Sequence, residues 1–132
     1  NETGFALTWA RLFYLFGEGQ ASTSLFSQLC AAATAGERSF PMSGGEQLRD
    51  FLDVSEAAHL IVTLALAGRD NGIVNICSGK PISVRRFVER VIEQNGWDIV
   101  PELGRYPYPD YEPHAFWGDR RKLDKLIGQL NA

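Results

Sequence analysis

The most constraining feature of this 132-residue sequence is an almost continuous apolar and aromatic run close to its first residue. The run extends from Phe5 to Phe16 and stops at Gly17. Runs of this character are typical of a β-strand that is covered on both faces, as the strands of parallel sheets are. We therefore predict a buried strand over residues 5–16 and an α/β fold, with helices flanking a partial sheet.

Three stretches with an apolar period of 3.6 residues predict helices. Each begins near a serine or threonine, whose hydroxyl can accept a hydrogen bond from a free N–H group of the first turn. Ser22 or Thr23 is expected to cap the first helix and Ser55 the second, while Asn95-Gly96 should end the third. The predicted helices are Ser22–Ala35, Ser55–Leu66 and Ser83–Gln94, and the second should bury Ala58, Ile61, Val62 and Ala65.

The rest of the chain predicts a strand, a loop and a last helix. Ile73–Cys77 is rich in β-branched residues, which favours a second strand. Residues 101–113 carry four prolines and three tyrosines, a composition that predicts an ordered loop because it is too aromatic to be fully solvated. A short helix over residues 119–130 completes the predicted architecture.

Composition excludes several classes of protein. Apolar residues make up 45% of the chain and charged residues 22%, which excludes disorder and indicates one globular domain. The net charge of −3 and the lack of a long basic run argue against nucleic acid as a partner. No stretch approaches the ~20 apolar residues that cross a bilayer, so no membrane partner is expected. Cys30 and Cys77 lie far apart without metal-ligand spacing, so we expect no metal site and a cytoplasmic protein.

The segment Gly17-Glu18-Gly19-Gln20-Ala21-Ser22 follows the predicted strand and precedes a predicted helix. This arrangement nearly matches the glycine fingerprint that binds the pyrophosphate of a dinucleotide. Ser22 stands where the fingerprint needs its third glycine, and Glu37 precedes its strand instead of ending it. We therefore expect an ordinary turn, while a small dinucleotide-binding domain remains a less favoured alternative.

Four spaced motifs lie along the chain: Arg11-x-Phe13-x-x-x-Gly17-x-Gly19-Gln20, then Gly45-Glu46-Gln47-Leu48-Arg49-Asp50-Phe51-x-x-Val54, then Val74-Asn75-Ile76-x-Ser78-Gly79, and finally Glu112-Pro113 with Asp119 and Leu123. In this order they resemble the C-terminal half of the extended short-chain dehydrogenase/reductases, the NAD-dependent epimerase/dehydratase family that acts on nucleotide sugars. The resemblance covers nearly the whole chain. The second motif is its most specific part.

The resemblance implies that residues 1–132 form the nucleotide-sugar-binding region of a Rossmann-type enzyme, with residues 1–17 as the last strand of the cofactor domain's sheet. It implies NAD or NADP as the cofactor, bound mainly by an N-terminal half that this chain lacks. It further implies a nucleotide diphosphate sugar as the ligand and a homodimer as the assembly. The whole enzyme would be an epimerase, a dehydratase or a 4-keto-reductase.

The catalytic pair of that family, Tyr-x-x-x-Lys, is missing, because no tyrosine of the chain has lysine four positions later. The sequence also lacks an initiator Met. We therefore expect an inactive fragment that holds no catalytic residue of its own. A non-catalytic binding or interaction module on the same fold is the alternative.

The resemblance assigns individual residues to ligand binding. Arg49 is the strongest candidate, because the family's Arg at this place contacts the nucleotide diphosphate and a guanidinium can hold two phosphate oxygens at once. Charge pattern alone would instead pair Arg49 with Asp50. Asn75 would either face the phosphate or sugar or brace the backbone, and Gln47 would be either an ordinary turn or strand residue or a ligand contact. Tyr14 replaces an Asn that lies next to the nicotinamide and the substrate in many relatives. The residues assigned to the nucleobase pocket are Phe40, Met42 and Leu25, and ordinary core packing is the alternative for each of them.

Overall fold

A computed structural model of the chain describes residues 4–132. These residues form short strands that alternate with helices, as the predicted α/β class requires. In chain order the elements are β1 (Thr8–Leu12), β2 (Tyr14–Phe16), α1 (Leu25–Thr34), β3 (Ser39–Pro41), β4 (Leu48–Arg49), β5 (Phe51–Asp53), α2 (Val54–Leu66), β6 (Gly72–Ile76), β7 (Ile82–Ser83), α3 (Val84–Asn95), β8 (Val100–Glu102) and α4 (Arg121–Leu130).

The strands join in pairs that are mostly parallel. β1 pairs with β6 and β2 pairs with β5, so the first two strands bond to strands that come much later in the chain. β3 is parallel to β8, whereas β4 and β7 are antiparallel. Parallel pairing needs long crossover connections, and helices lie within each of the crossovers here.

Two apolar clusters join these elements. One connects α1 to α3 through Leu29 and Phe87. The other lies under α2 and α4, where Leu123 packs with Val74 and Ile76 of β6. Each helix therefore buries one stripe of its surface. Within residues 4–132, no helix combines the length and the apolar character needed to cross a lipid bilayer.

The first predicted strand is wrong in both its extent and its burial. The strand starts at Thr8 and is interrupted at Phe13, which separates β1 from β2. Trp9 and its register partner Ile73 are 65% and 54% exposed. The physical reason is that α2 and α4 pack against the opposite face of the β1–β6 pair, and no described element covers the face of Trp9.

The third helix follows its prediction closely, while the first two begin elsewhere. In α3 the Ser83 hydroxyl accepts a hydrogen bond from Arg86 N at 3.1 Å, and Gly96 ends the helix with φ of 64°. The cap of α1 is Ser24, not Ser22 or Thr23. The cap of α2 is Asp53, whose carboxylate accepts from Ser55 N at 2.8 Å.

The stripe predicted for α2 is also wrong. Val62, which belongs to that stripe, is 54% exposed. The helix is apolar on most of its surface, so the pattern alone does not choose a face, and contact with β5 and β6 makes the choice. The residues that α2 buries are Ala57, Leu60 and Leu64.

The predicted loop and the last helix need small corrections. β8 takes up the first residues of the proline-rich segment and pairs with β3, while the remainder up to Pro113 has no strand or helix. α4 begins at Arg121, because the Asp119 carboxylate accepts a hydrogen bond from Arg121 N at 3.0 Å and so precedes the helix.

Candidate functional site

One face of the β2–β5 pair carries aromatic side chains. The register places Tyr14 opposite Phe51 and Phe16 opposite Asp53. Because side chains alternate along a strand, these four residues share a face, while Leu52 points to the apolar cluster on the other side. The rings of Tyr14 and Phe51 meet edge to face, with centroids 6.1 Å apart. We call Tyr14, Phe16 and Phe51 the aromatic face.

Arg49 lies at the end of the aromatic face, and its side chain is only 3% exposed. One guanidinium nitrogen donates a hydrogen bond to the Leu48 carbonyl at 2.8 Å, and another pairs with the Glu112 carboxylate at 3.2 Å. The guanidinium carbon is 5.5 Å from the centroid of the Tyr14 ring, which is cation–π distance. Arg49 and Tyr14 are therefore in contact. The sequence motifs had assigned each of them to ligand binding separately.

Asp50 is fully buried and does not pair with Arg49. Its carboxylate accepts hydrogen bonds from the backbone N–H groups of Ser78, Gly79 and Gly118, at 2.7, 2.9 and 3.1 Å. Two separate chain segments, residues 78–79 and residue 118, are thus fastened to the Asp50 side chain. The ion pair that charge pattern alone suggested for Arg49 and Asp50 is wrong, because the backbone supplies the partners of Asp50.

The thiol of Cys77 lies beside this buried carboxylate. Burial, together with the negative charge of Asp50, raises the pKa of Cys77 to about 11. Gly118 is required at its position, since a Cβ there would lie 2.6 Å from Cys77 Sγ. Cys77 is a small core residue with an exposure of 0%.

A cavity of about 1130 Å³ opens at the carboxyl ends of β2, β5 and β6. Its wall includes Phe16 and Asp53, which end β2 and β5, and the Ser78–Lys80 loop that follows β6. Phe51 and Trp117 add aromatic surface. Ligands of parallel α/β sheets bind at the carboxyl ends of the strands, so this cavity is a candidate site. Arg49 and Tyr14 do not line it, and Phe16 and Phe51 connect it to the aromatic face.

Some of the basic side chains that line this cavity form ion pairs within the chain and others do not. Arg120 is engaged, since it pairs with Asp124 at 2.8 Å and donates to the Cys77 carbonyl at 2.8 Å. Lys80 and Arg90 differ, because within residues 4–132 neither forms an ion pair. Neither residue was predicted for the site from sequence. Lys80 lies in the loop after β6 and Arg90 lies within α3, and tertiary packing brings them to one cavity.

Gln47 and Asn75 each keep a buried acceptor without a partner among the described residues, namely Gln47 Oε1 and Asn75 Oδ1. An unsatisfied buried polar atom costs about 1 to 3 kcal/mol, so both atoms are candidates for a ligand contact. Asn75 Nδ2 donates to the Asp119 carbonyl at 3.2 Å, which braces the start of α4. Asn75 lies on the β1–β6 pair, apart from the β4–β7 pair that carries Arg49.

The three residues assigned to a nucleobase pocket lie in or beside the apolar cluster of α1 and α3. Phe40 and Met42 are 5% and 3% exposed, and Leu25 is half-buried against the same cluster. Their burial favours core packing and leaves little surface for a flat base. A nucleobase role for these side chains stays a prediction.

The glycine turn does not fit a dinucleotide site. The side chain of Gln20 closes the turn, donating to the Leu15 carbonyl at 2.6 Å and accepting from Gly17 N at 3.3 Å. α1 begins only at Leu25, so the glycines do not open a helix, which the pyrophosphate fingerprint requires. Gly17 instead serves packing, because a Cβ there would lie 2.6 Å from Val54 Cγ1.

Comparison with known proteins agrees with the sequence motifs. The model of the NAD dependent epimerase/dehydratase family matches residues 1–77. The chain belongs to this family. The dTDP-6-deoxy-L-talose 4-dehydrogenase (NAD(+)) of Aggregatibacter actinomycetemcomitans is 33% identical over 85% of this chain and 41% of its own length. The NAD(P)(+)-type enzyme of the same name from Kitasatospora kifunensis is 30% identical over 90% of the chain and 38% of its own length.

Similarity to solved structures confirms the fold class. The UDP-N-acetylglucosamine 4-epimerase from Methanobrevibacter ruminantium M1, solved in complex with UDP-N-acetylmuramic acid, superposes with a TM-score of 0.75 at 26% identity. The match covers 90% of this chain and 39% of that one. The prediction of a Rossmann-type, extended short-chain dehydrogenase/reductase relationship is therefore confirmed. The chain spans about two fifths of the length of the curated relatives it matches.

Proposed function

We propose that this chain is the nucleotide-sugar-binding part of an NAD(P)-dependent enzyme that acts on nucleotide sugars, with Arg49 as the residue that holds the diphosphate. Of the reactions in the family, oxidation or reduction at a sugar C4 position has the strongest support, because both curated relatives are 4-dehydrogenases. The ligand would be a dTDP- or UDP-linked hexose. Cytoplasmic location and a homodimeric assembly belong to the same proposal.

The observation that carries the proposal is the environment of Arg49. A guanidinium is permanently charged, and burying it is unfavourable unless strong partners are available. Its charged partner here is Glu112, a side chain that is 37% exposed. A diphosphate offers several oxygens to the same planar group and is a stronger partner than one carboxylate. Tyr14, which is 42% exposed, supplies surface for the sugar or the nicotinamide ring, while Phe16 and Phe51 also pack on Phe87 of α3.

The remaining parts of the enzyme would lie outside this chain. The glycine turn is unsuitable for the cofactor pyrophosphate, and the sequence has no Tyr-x-x-x-Lys pair. We therefore propose that the cofactor-binding loop and the proton-transferring tyrosine are supplied by another part of the protein. The exposed face of Trp9 and Ile73 is the surface on which such a part would pack.

The test is calorimetric titration of the full-length protein with dTDP and UDP. Arg49→Ala should weaken binding by about 1.5 to 3 kcal/mol, which is the value of a hydrogen bond to a charged group. Arg86→Ala is the matched control, because Arg86 is a half-exposed arginine of α3 that pairs with Glu93 on the surface. Equal affinity in wild type and Arg49→Ala would contradict the proposal.

A further inference from the structure

The end of the proline-rich loop and the residues that follow it lie directly against β4. Leu48 N donates to the His114 carbonyl at 2.9 Å, and Phe116 N donates to the Leu48 carbonyl at 3.0 Å. Leu48 and Ala115 form a parallel bridge. We call residues 111–118 the strap. The strap is thus bonded to the strand that carries Arg49, although it is more than 60 residues away in sequence.

The anchors of the strap all lie on one side of Glu112. The Phe116 ring stacks on Phe13 with centroids 5.2 Å apart, and Gly118 N donates to Asp50. Before Glu112 the next anchor is Tyr108, whose hydroxyl accepts a hydrogen bond from Glu46 N at 3.2 Å. Between the two, Tyr111 is 87% exposed and Glu112 N bonds only locally, to the Pro109 carbonyl at 3.2 Å. The Glu112 side chain can therefore leave Arg49 without breaking the bonds that hold the strap.

The two members of the ion pair differ in their access to water. The Arg49 side chain is 3% exposed and the Glu112 side chain 37%. An anion that approaches the guanidinium must displace one of the groups around it. The Leu48 carbonyl is fixed in the backbone and Tyr14 is held between Phe51 and Phe116, so Glu112 is the group that can move.

We propose that Glu112 is an intramolecular competitor for the anion position on Arg49. Its carboxylate occupies the guanidinium when no diphosphate is bound, and it gives way when a nucleoside diphosphate arrives. Occupation by Glu112 keeps the buried cation paired. It also reduces the apparent affinity to the intrinsic affinity multiplied by the fraction of molecules in which Arg49 is uncovered. This inference rests on the proposed function, because it requires that Arg49 binds the diphosphate.

The inference is tested by titrating the full-length protein with dTDP and UDP. Glu112→Gln removes the competing charge and also the repulsion between a carboxylate and the diphosphate, so binding should tighten about three- to tenfold. Glu102→Gln is the matched control, since Glu102 makes the same kind of ion pair with Arg105 at 3.0 Å and does not contact Arg49. Thermal unfolding of each variant checks that the fold is kept.

The outcomes separate the two proposals. Tighter binding in Glu112→Gln with unchanged binding in Glu102→Gln supports the competitor role. Unchanged or weaker binding in Glu112→Gln, while Arg49→Ala still weakens it, overturns the competitor role and leaves the diphosphate site in place. Equal tightening in both glutamine variants also overturns it, because the gain would then come from net charge. No effect of Arg49→Ala removes the proposed function itself.

Discussion

Arg49 and Asp50 are neighbours in sequence, opposite in charge and both almost fully buried, yet their partners differ in kind. Asp50 is held by three backbone N–H groups, which cannot leave without unfolding part of the chain. Arg49 is held by one backbone carbonyl and by a half-exposed glutamate. The two buried charges therefore differ in whether a partner can leave without breaking backbone hydrogen bonds.

The largest expected effect follows from removing Asp50. Asp50→Ala leaves the N–H groups of Ser78, Gly79 and Gly118 without their acceptor. We expect a loss of about 3 to 5 kcal/mol in the free energy of unfolding, measured by urea denaturation, because each unsatisfied buried donor costs about 1 to 3 kcal/mol. Asp98→Ala is the control, with a side chain that is 90% exposed. A loss similar to that of the control would remove the contrast between Asp50 and Arg49.

Asp53 is expected to have an effect of intermediate size on stability, because its carboxylate lies near the surface and caps α2. Asp53→Ala should cost about 1 kcal/mol near neutral pH, as loss of an N-cap does. Hydrogen bonds from the Ser55 side chain and backbone lower the pKa of Asp53. A lowered folded-state pKa means that the stabilisation is present above the ordinary aspartate pKa and is lost as the pH falls through the folded-state value.

The matched control for Asp53 is Ser83→Ala, which removes the cap of α3 through a group that does not titrate. Urea denaturation of both variants between neutral pH and about pH 3 compares the two caps. The difference from wild type should shrink with falling pH for Asp53→Ala and stay constant for Ser83→Ala. If the stability difference from wild type stayed constant with pH for both variants, the charge of Asp53 would contribute nothing to the cap.

The smallest expected effect on stability belongs to Arg49. Arg49→Met keeps an unbranched side chain in the same space and allows Glu112 to return to water. Replacing a buried charge by an apolar side chain is often neutral, so we expect a change of less than about 1 kcal/mol in the free energy of unfolding. Urea denaturation measures this change in the free energy of unfolding. A loss as large as that of Asp50→Ala would show that Arg49 is structural and would weaken its assignment to ligand.

Features set by local sequence were predicted well. Ser83 and Gly96 bound α3 because a cap depends on hydrogen bonds within one turn and on the freedom of glycine at positive φ. The strand at residues 73–77 was also found, because β-branched residues favour an extended backbone. The α2 stripe failed for the opposite reason, since a helix that is apolar on most sides takes its buried face from its neighbours.

The candidate site was predicted only in part. Sequence motifs singled out Arg49 and Tyr14, and the structure brings them together. Nothing in the local sequence pointed to Glu112 as the partner of Arg49, because the two are 63 positions apart. The cavity that includes Lys80 and Arg90 was missed as well, since it forms only where strand ends, a loop and α3 meet.

By itself, the sequence determined the α/β class, the family and the bounds of α3, because these follow from periodicity, a set of motifs and capping. Tertiary structure decided that Trp9 is exposed, that Asp50 accepts hydrogen bonds from two distant segments and that Glu112 pairs with Arg49. The physical reason is that burial and charge pairing depend on which distant segments pack side by side, and parallel strand pairing sets that arrangement.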